Sequence, residues 1–190
     1  MKKLIAITIG DIEGIGIRIL IKEWSKNKIK NFVIICNHNI YKKFILDNKN
    51  NINLIKKDNL IINYDSKKIN ILNIKTKNKH TNAMDSLNKA YEMVNHNYFI
   101  GIITLPINKK NINKYVNKNF IDQTTFFSNL EKNNKTNMIF LYNKKFFIPL
   151  TIHVELKNVY KYFAKKKYIY NKILSLKKTI STDFNINNPK

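Results

Sequence analysis

Three of the chain's four glycines fall together at Gly10, Gly14 and Gly16, with Asp11 between the first two. A glycine-rich turn between a strand and a helix can cradle phosphate, because bare backbone N–H groups meet the anion at the helix start. The spacing here fits neither common template. A dinucleotide fingerprint would need glycine at 19, where Ile19 stands, and no Gly-Lys-Ser/Thr follows for a P-loop. What the stretch does offer is a carboxylate, Asp11, at the carboxyl end of a first strand, where open α/β sheets hold their ligands. Two readings stay open: Asp11 lines a ligand crevice, or the glycines supply positive φ for a tight connection that Asp11 caps.

A second candidate is His153 in "IPLTIHVEL", close to Glu155. A neutral imidazole suits zinc and similar divalent cations, and it serves equally as a hydrogen-bonding residue at a sheet margin. His38, His80 and His96 lie in polar surroundings without partners at metal-ligand spacing and read as surface residues. Pro106 in "TLPINKKNI" terminates a strand, and Asn108, Lys109 and Lys110 after it could touch an anionic ligand.

The elements that must position these residues read as an alternation of strands and helices. "KKLIAITIG" is a buried strand, and the helix after it presents Ile15, Ile19, Ile21 and Trp24 on one side. "NFVIICN" is a second buried strand and "IYKKFILDN" a helix. The Asn/Lys/Ile-rich stretch 47–79 reads as edge strands and loops. "NAMDSLNKAYEMVNH" places Ala83, Leu87, Ala90, Tyr91 and Val94 at helical spacing. "FIGIIT" is a buried strand halted by Pro106. "TTFFSNLEKN" is a helix capped by Thr124, "TNMIFLYNKKFFIPLTIHVEL" is two adjacent strands joined by Asn143 and Lys144, and 156–178 are helical. The expected class is α/β.

Length and composition set the frame. The 190 residues suffice for one sizeable domain or for one and part of another. A single cysteine, Cys36, excludes an internal disulfide and a cysteine-based zinc cluster and fits a reducing, cytoplasmic location. No apolar run is long enough for a membrane span. The net charge of +23 invites a nucleic-acid-binding reading, yet Arg18 is the only arginine among 35 basic residues. Lys, Asn and Ile rise together as A/T-rich codons would make them, so non-specific, salt-sensitive polyanion binding is the expectation.

The order of the motifs says more than any one of them. "AITIGDIEGIGIRI" resembles the "T-x-GDPAGIGPE" opening of the 4-hydroxythreonine-4-phosphate dehydrogenase family of pyridoxal phosphate biosynthesis. "IGIITLPINKKNI", "IDQTTFF" and "PLTIHVELKNV" then resemble three further family blocks in the same order. The resemblance implies a three-layer α/β/α fold of the isocitrate/isopropylmalate dehydrogenase type, incomplete at its carboxyl end. The expected division is a first domain over 1–106 and the beginning of a cleft-forming second over 107–190.

It further implies that Gln123 and Thr124 bind substrate and that His153 is the first of three metal-ligating histidines. The implied cofactors are a divalent metal (Zn, Mg or Co) and NAD or NADP. The implied reaction oxidises 4-phosphooxy-L-threonine, and the implied partner is a second copy or a complementing carboxyl-terminal fragment. The sequence departs from the pattern at Ile12, Glu13, Ile17, Arg18 and Gln123, the last replacing the family's substrate histidine. It reaches neither the second nor the third ligand motif, which leaves a non-catalytic relative as the alternative and a basic nucleic-acid-binding module as the third reading.

Overall fold

The computed structural model describes residues 3–44, 52–56, 63–131, 136–143, 145–152 and 154–188. The chain divides into two compact units, Met1–Gln123 and Thr124–Lys190.

The first unit is built on a five-stranded sheet. Its strands are β1 (Ile5–Thr8), β2 (Phe32–Cys36), β3 (Ile52–Ile55), β4 (Ile69–Asn73) and β5 (Ile102–Thr104). Their spatial order is β3-β4-β2-β1-β5, and every pairing is parallel. Parallel strands need crossovers that cover both sheet faces, so central strands must be apolar on both sides. All five residues of β2 are accordingly buried.

One face packs Ala6, Val33, Ile35 and Leu72 against Ala90 and Met93 of helix α3 (Asn82–Asn95). The other packs Ile7, Ile9, Ile34 and Ile71 against Ile17 and Leu20 of helix α1 (Ile15–Ser25) and Tyr41 of helix α2 (His38–Phe44). This is the α/β class the sequence implies. Ser86 of α3 ties the strand ends together: it accepts from the Ile9 N–H at 3.1 Å and donates to the Ile35 carbonyl at 2.6 Å.

Three expectations change. The inward stripe of α1 is Gly16, Ile17 and Leu20, with Ile21 and Trp24 partly buried, whereas Ile15 and Ile19 face outward. Within the 47–79 stretch, β3 is an edge strand but β4 lies inside the sheet. It can do so because buried Asn70 is saturated: its Oδ1 accepts from Asp65 N and Asn53 Nδ2, and its Nδ2 donates to the Asp65 and Lys68 carbonyls. The pieces 47–51 and 57–62 of that stretch lie outside the described residues. Finally, β5 is only partly buried, with Ile103 48% exposed, because it pairs on one side alone.

Asparagine performs turns that glycine usually makes. Asn27, Asn31, Asn97, Asn143 and Asn185 all have positive φ, and Gly10 is the single glycine that does. Asparagine tolerates the left-handed region better than other side chains.

Helix α5 (Gln123–Leu130) begins two residues before a Thr124 cap would start it, so Thr124 stands in its first turn and not before it. In the second unit, β6 (Phe140–Tyr142) and β7 (Lys145–Phe147) form the expected antiparallel hairpin, turning at Asn143 with φ 45°. The expected helix over 156–178 is divided into a 3₁₀ turn Leu156–Asn158, α6 (Tyr160–Phe163) and α7 (Lys166–Phe184). The break falls at Lys165, whose ψ of 79° leaves the helical range. Phe146 of the hairpin meets Phe184 of α7 edge-on, and Tyr168 and Lys172 of α7 both donate to the carbonyl of Leu150, just beyond the hairpin, at 2.9 Å.

Candidate functional site

The glycine cluster, Pro106 and Gln123 meet at the carboxyl ends of β1 and β5, the sheet end where open α/β folds hold ligands. Beyond Thr8 the chain turns at Gly10 with φ 63°. A Cβ there would sit 2.4 Å from the Pro106 carbonyl oxygen and 2.9 Å from the Leu105 carbonyl. One added at Gly16 would sit 2.8 Å from Cδ of Pro106. The Asp11 N–H donates to the Pro106 carbonyl at 2.8 Å, and Gln123 Nε2 donates to the Leu105 carbonyl at 2.9 Å. Two of the three opening glycines therefore allow the close approach of a corner far away in sequence. Gly14 closes the local turn, its N–H donating to the Asp11 carbonyl at 3.0 Å.

A small pocket opens beside this corner, lined by Asp11, Lys79, His80, Asn108 and Asn111 over buried Ile12, Ala83 and Ile112. Asp11 uses one carboxylate oxygen to accept from the Glu13 N–H at 3.1 Å. Lys79 bridges to Glu13 at 2.8 Å. The His80 ring stacks on Tyr115 with centroids 4.2 Å apart. Asn108 caps helix α4 (Lys109–Tyr115), accepting from the Asn111 N–H at 3.1 Å. The pocket thus presents a carboxylate, an ammonium, an imidazole and side-chain amides around a cavity of about 30 Å³, room for about one water.

Sequence-predicted residues are placed unevenly. Gln123 is half-buried at the corner and Thr124 is exposed beside it in sequence. Lys109 and Lys110 are exposed on α4. His153 lies outside the described residues. His80, expected as a plain surface residue, is instead a half-buried pocket residue. No sequence signal points to it, since its partner Tyr115 belongs to another element. His38 is held below the ordinary imidazole range by partial burial and by Lys42, and it stands away from this pocket. Burial pushes the Cys36 thiol far above its usual range, which leaves it protonated and unreactive.

Among the described residues, neither a metal centre nor an open glycine cradle is present. Among the described residues no three His, Cys, Asp or Glu side chains stand together as a metal centre. The approach to Gly10 and Gly16 that a pyrophosphate would need is filled by Leu105 and Pro106.

The profile of the pyridoxal phosphate biosynthetic protein PdxA matches residues 28–190. No curated protein matches the sequence. Among solved structures, 4-hydroxythreonine-4-phosphate dehydrogenase from Klebsiella pneumoniae superposes with a TM-score of 0.77 at 18% identity, over 94% of this chain and 59% of that one. The 4-hydroxythreonine-4-phosphate dehydrogenase from Burkholderia phymatum gives 0.78 at 16% identity, over 100% of this chain and 61% of that one. The chain thus shares their fold while spanning about three fifths of their length. With a family match covering most of its residues, the chain belongs to the PdxA family of pyridoxal phosphate biosynthetic proteins.

Proposed function

We propose that this chain serves the reaction of its family: NAD(P)-dependent oxidation of 4-phosphooxy-L-threonine to 2-amino-3-oxo-4-phosphooxybutanoate. That product then loses carbon dioxide to give 3-amino-2-oxopropyl phosphate in pyridoxal 5'-phosphate biosynthesis. The observation that carries the reading is the corner itself, which joins three of the family-like blocks, "GDIEGIG", "TLPINKK" and "IDQTTFF", at the ligand end of a parallel sheet.

Substrate binding is assigned to Gln123 and Thr124. With one Nε2–H given to Leu105, Gln123 keeps a second N–H and Oε1 for a ligand, and the Thr124 hydroxyl can donate to a phosphate oxygen. His153 is assigned as a metal ligand from its motif. A divalent cation would supply acidification of the substrate hydroxyl, and the nicotinamide would accept hydride. The described residues offer no complete metal centre. The cleft-forming second domain, the cytoplasmic location and pairing with a second copy or a complementing carboxyl-terminal fragment belong to the same proposal.

Calorimetric titration of the chain with 4-phosphooxy-L-threonine, with and without zinc, tests this. Binding that zinc strengthens and that both Thr124→Val and His153→Ala weaken is the expected result. Heats indistinguishable from dilution in every case would overturn it.

The second reading is a family member that does not catalyse on its own. It is favoured by the uncharged Gln123 amide at the position of the family's histidine. Substrate binding without turnover in the presence of NAD, NADP and zinc supports this reading, and hydride transfer to either nucleotide excludes it.

A further inference from the structure

The Leu105–Pro106 corner is held by contacts of two kinds. Backbone supplies most of them: Asp11 N–H to the Pro106 carbonyl at 2.8 Å, Leu105 N–H to the Thr8 carbonyl at 3.4 Å, and the bare faces of Gly10 and Gly16. A side-chain hydrogen bond adds to them: Gln123 Nε2 reaches the Leu105 carbonyl across 18 residues of sequence. A carbonyl oxygen only accepts, so the amide nitrogen and not Oε1 must face it. The Leu105 and Pro106 carbonyls are consecutive, and the second of them holds the Asp11 backbone. Any freedom gained at Leu105 is therefore passed to the residue that lines the pocket.

We infer that Gln123 is a positioning residue, its amide tying down the Leu105 carbonyl and, through Pro106, fixing Asp11 at the mouth of the strand-end pocket. This role rests on reading the corner as part of the ligand site, and it gives the glutamine a function apart from touching substrate. An amide suits such a tie because it donates without carrying charge.

Gln123 is the only glutamine in the chain, so glutamine-selective ¹⁵N labelling of its side chain gives an unambiguous nuclear magnetic resonance probe. In the unaltered protein one of the two amide protons should exchange more slowly than the other. Gln123→Met keeps the length without the donor, and Gln123→Ala removes both. In each variant the protection of the Asp11 backbone amide should fall about tenfold, the loss of one hydrogen bond holding a local opening. The Ala6 amide, bonded to the Gly101 carbonyl at 3.0 Å in the same sheet, should keep its protection.

Three results would overturn the inference: side-chain protons that both exchange at the free-amide rate, Asp11 protection unchanged in the variants, or an equal fall at Ala6 and Asp11. No ligand enters these measurements. Their failure would leave the substrate assignment standing, and a failure of substrate binding would leave the tie standing.

Discussion

Leu87 of α3 is fully buried, whereas Leu156 of the second unit is 89% exposed, and the same contrast runs through the two units. The sheet unit closes an apolar layer on each of its faces. In the second unit the buried hydrophobic residues among those described are Leu176 and Ile180, while Phe140, Leu141, Tyr142, Phe163 and Tyr170 lie at the surface. A three-residue-stranded hairpin and a helix have little area to hide between them. The difference teaches that stability is concentrated in Met1–Gln123, and that the second unit carries surface suited to covering by another surface.

The strongest way to break that contrast is to attack the corner of the sheet unit. Gly10→Ala puts a Cβ 2.4 Å from a backbone oxygen and forces a side chain onto φ 63°. The cost should be about 4 kcal/mol, near the upper end for a single substitution. Gly101→Ala is the control, since nothing lies within 4 Å of its added Cβ, and it should stay within about 0.5 kcal/mol. Trp24, the only tryptophan, packs against the core of the sheet unit and reports its unfolding by fluorescence. Equal midpoints for the two variants would refute the close approach at the corner.

Why the corner was only half legible follows from that same geometry. The glycine cluster is visible in sequence, but the group that demands it, Leu105–Pro106, comes almost a hundred residues later, and no local pattern links the two. Strand β2 was legible because burial on both faces leaves an unbroken apolar run. The internal place of β4 is not legible, since Asn70 sits in it and only its four hydrogen bonds make that place tolerable. Periodicity alone does not choose the inward face of α1, because isoleucines at 15, 17, 19 and 21 leave two apolar faces to choose from. His80 carries no local signal because its stacking partner Tyr115 is remote in sequence. The asparagines at positive φ explain how a chain with four glycines still turns.

Next in size are paired truncations of one residue type. Leu87→Ala empties a fully buried site against the sheet and should cost about 3 kcal/mol. Leu176→Ala acts on a helix with few buried neighbours and should cost about 1 kcal/mol, because exposed surroundings can collapse onto the gap. The two units need not unfold together, so each variant is read by hydrogen exchange at amides of its own unit. Equal losses would mean that the second unit is as well packed as the first.

The smallest expected effect on stability belongs to the exposed hairpin, and it bears on what the second unit's surface is for. Leu141 and Tyr142 are 58% and 68% exposed on adjacent positions of β6, so changing them to Ser and Thr removes little buried area. Stability should move by no more than about 0.5 kcal/mol. Association is different, because apolar area is removed from water only when a second surface arrives. Sedimentation velocity over a range of concentrations should show the unaltered chain self-associating and the double variant shifted toward the monomer at equal concentration. If both sediment as monomers, this surface does not join copies of the chain. If both associate alike, the contact lies elsewhere on the molecule, and the exposed α7 residues Tyr170 and Ile173 become the next pair to change.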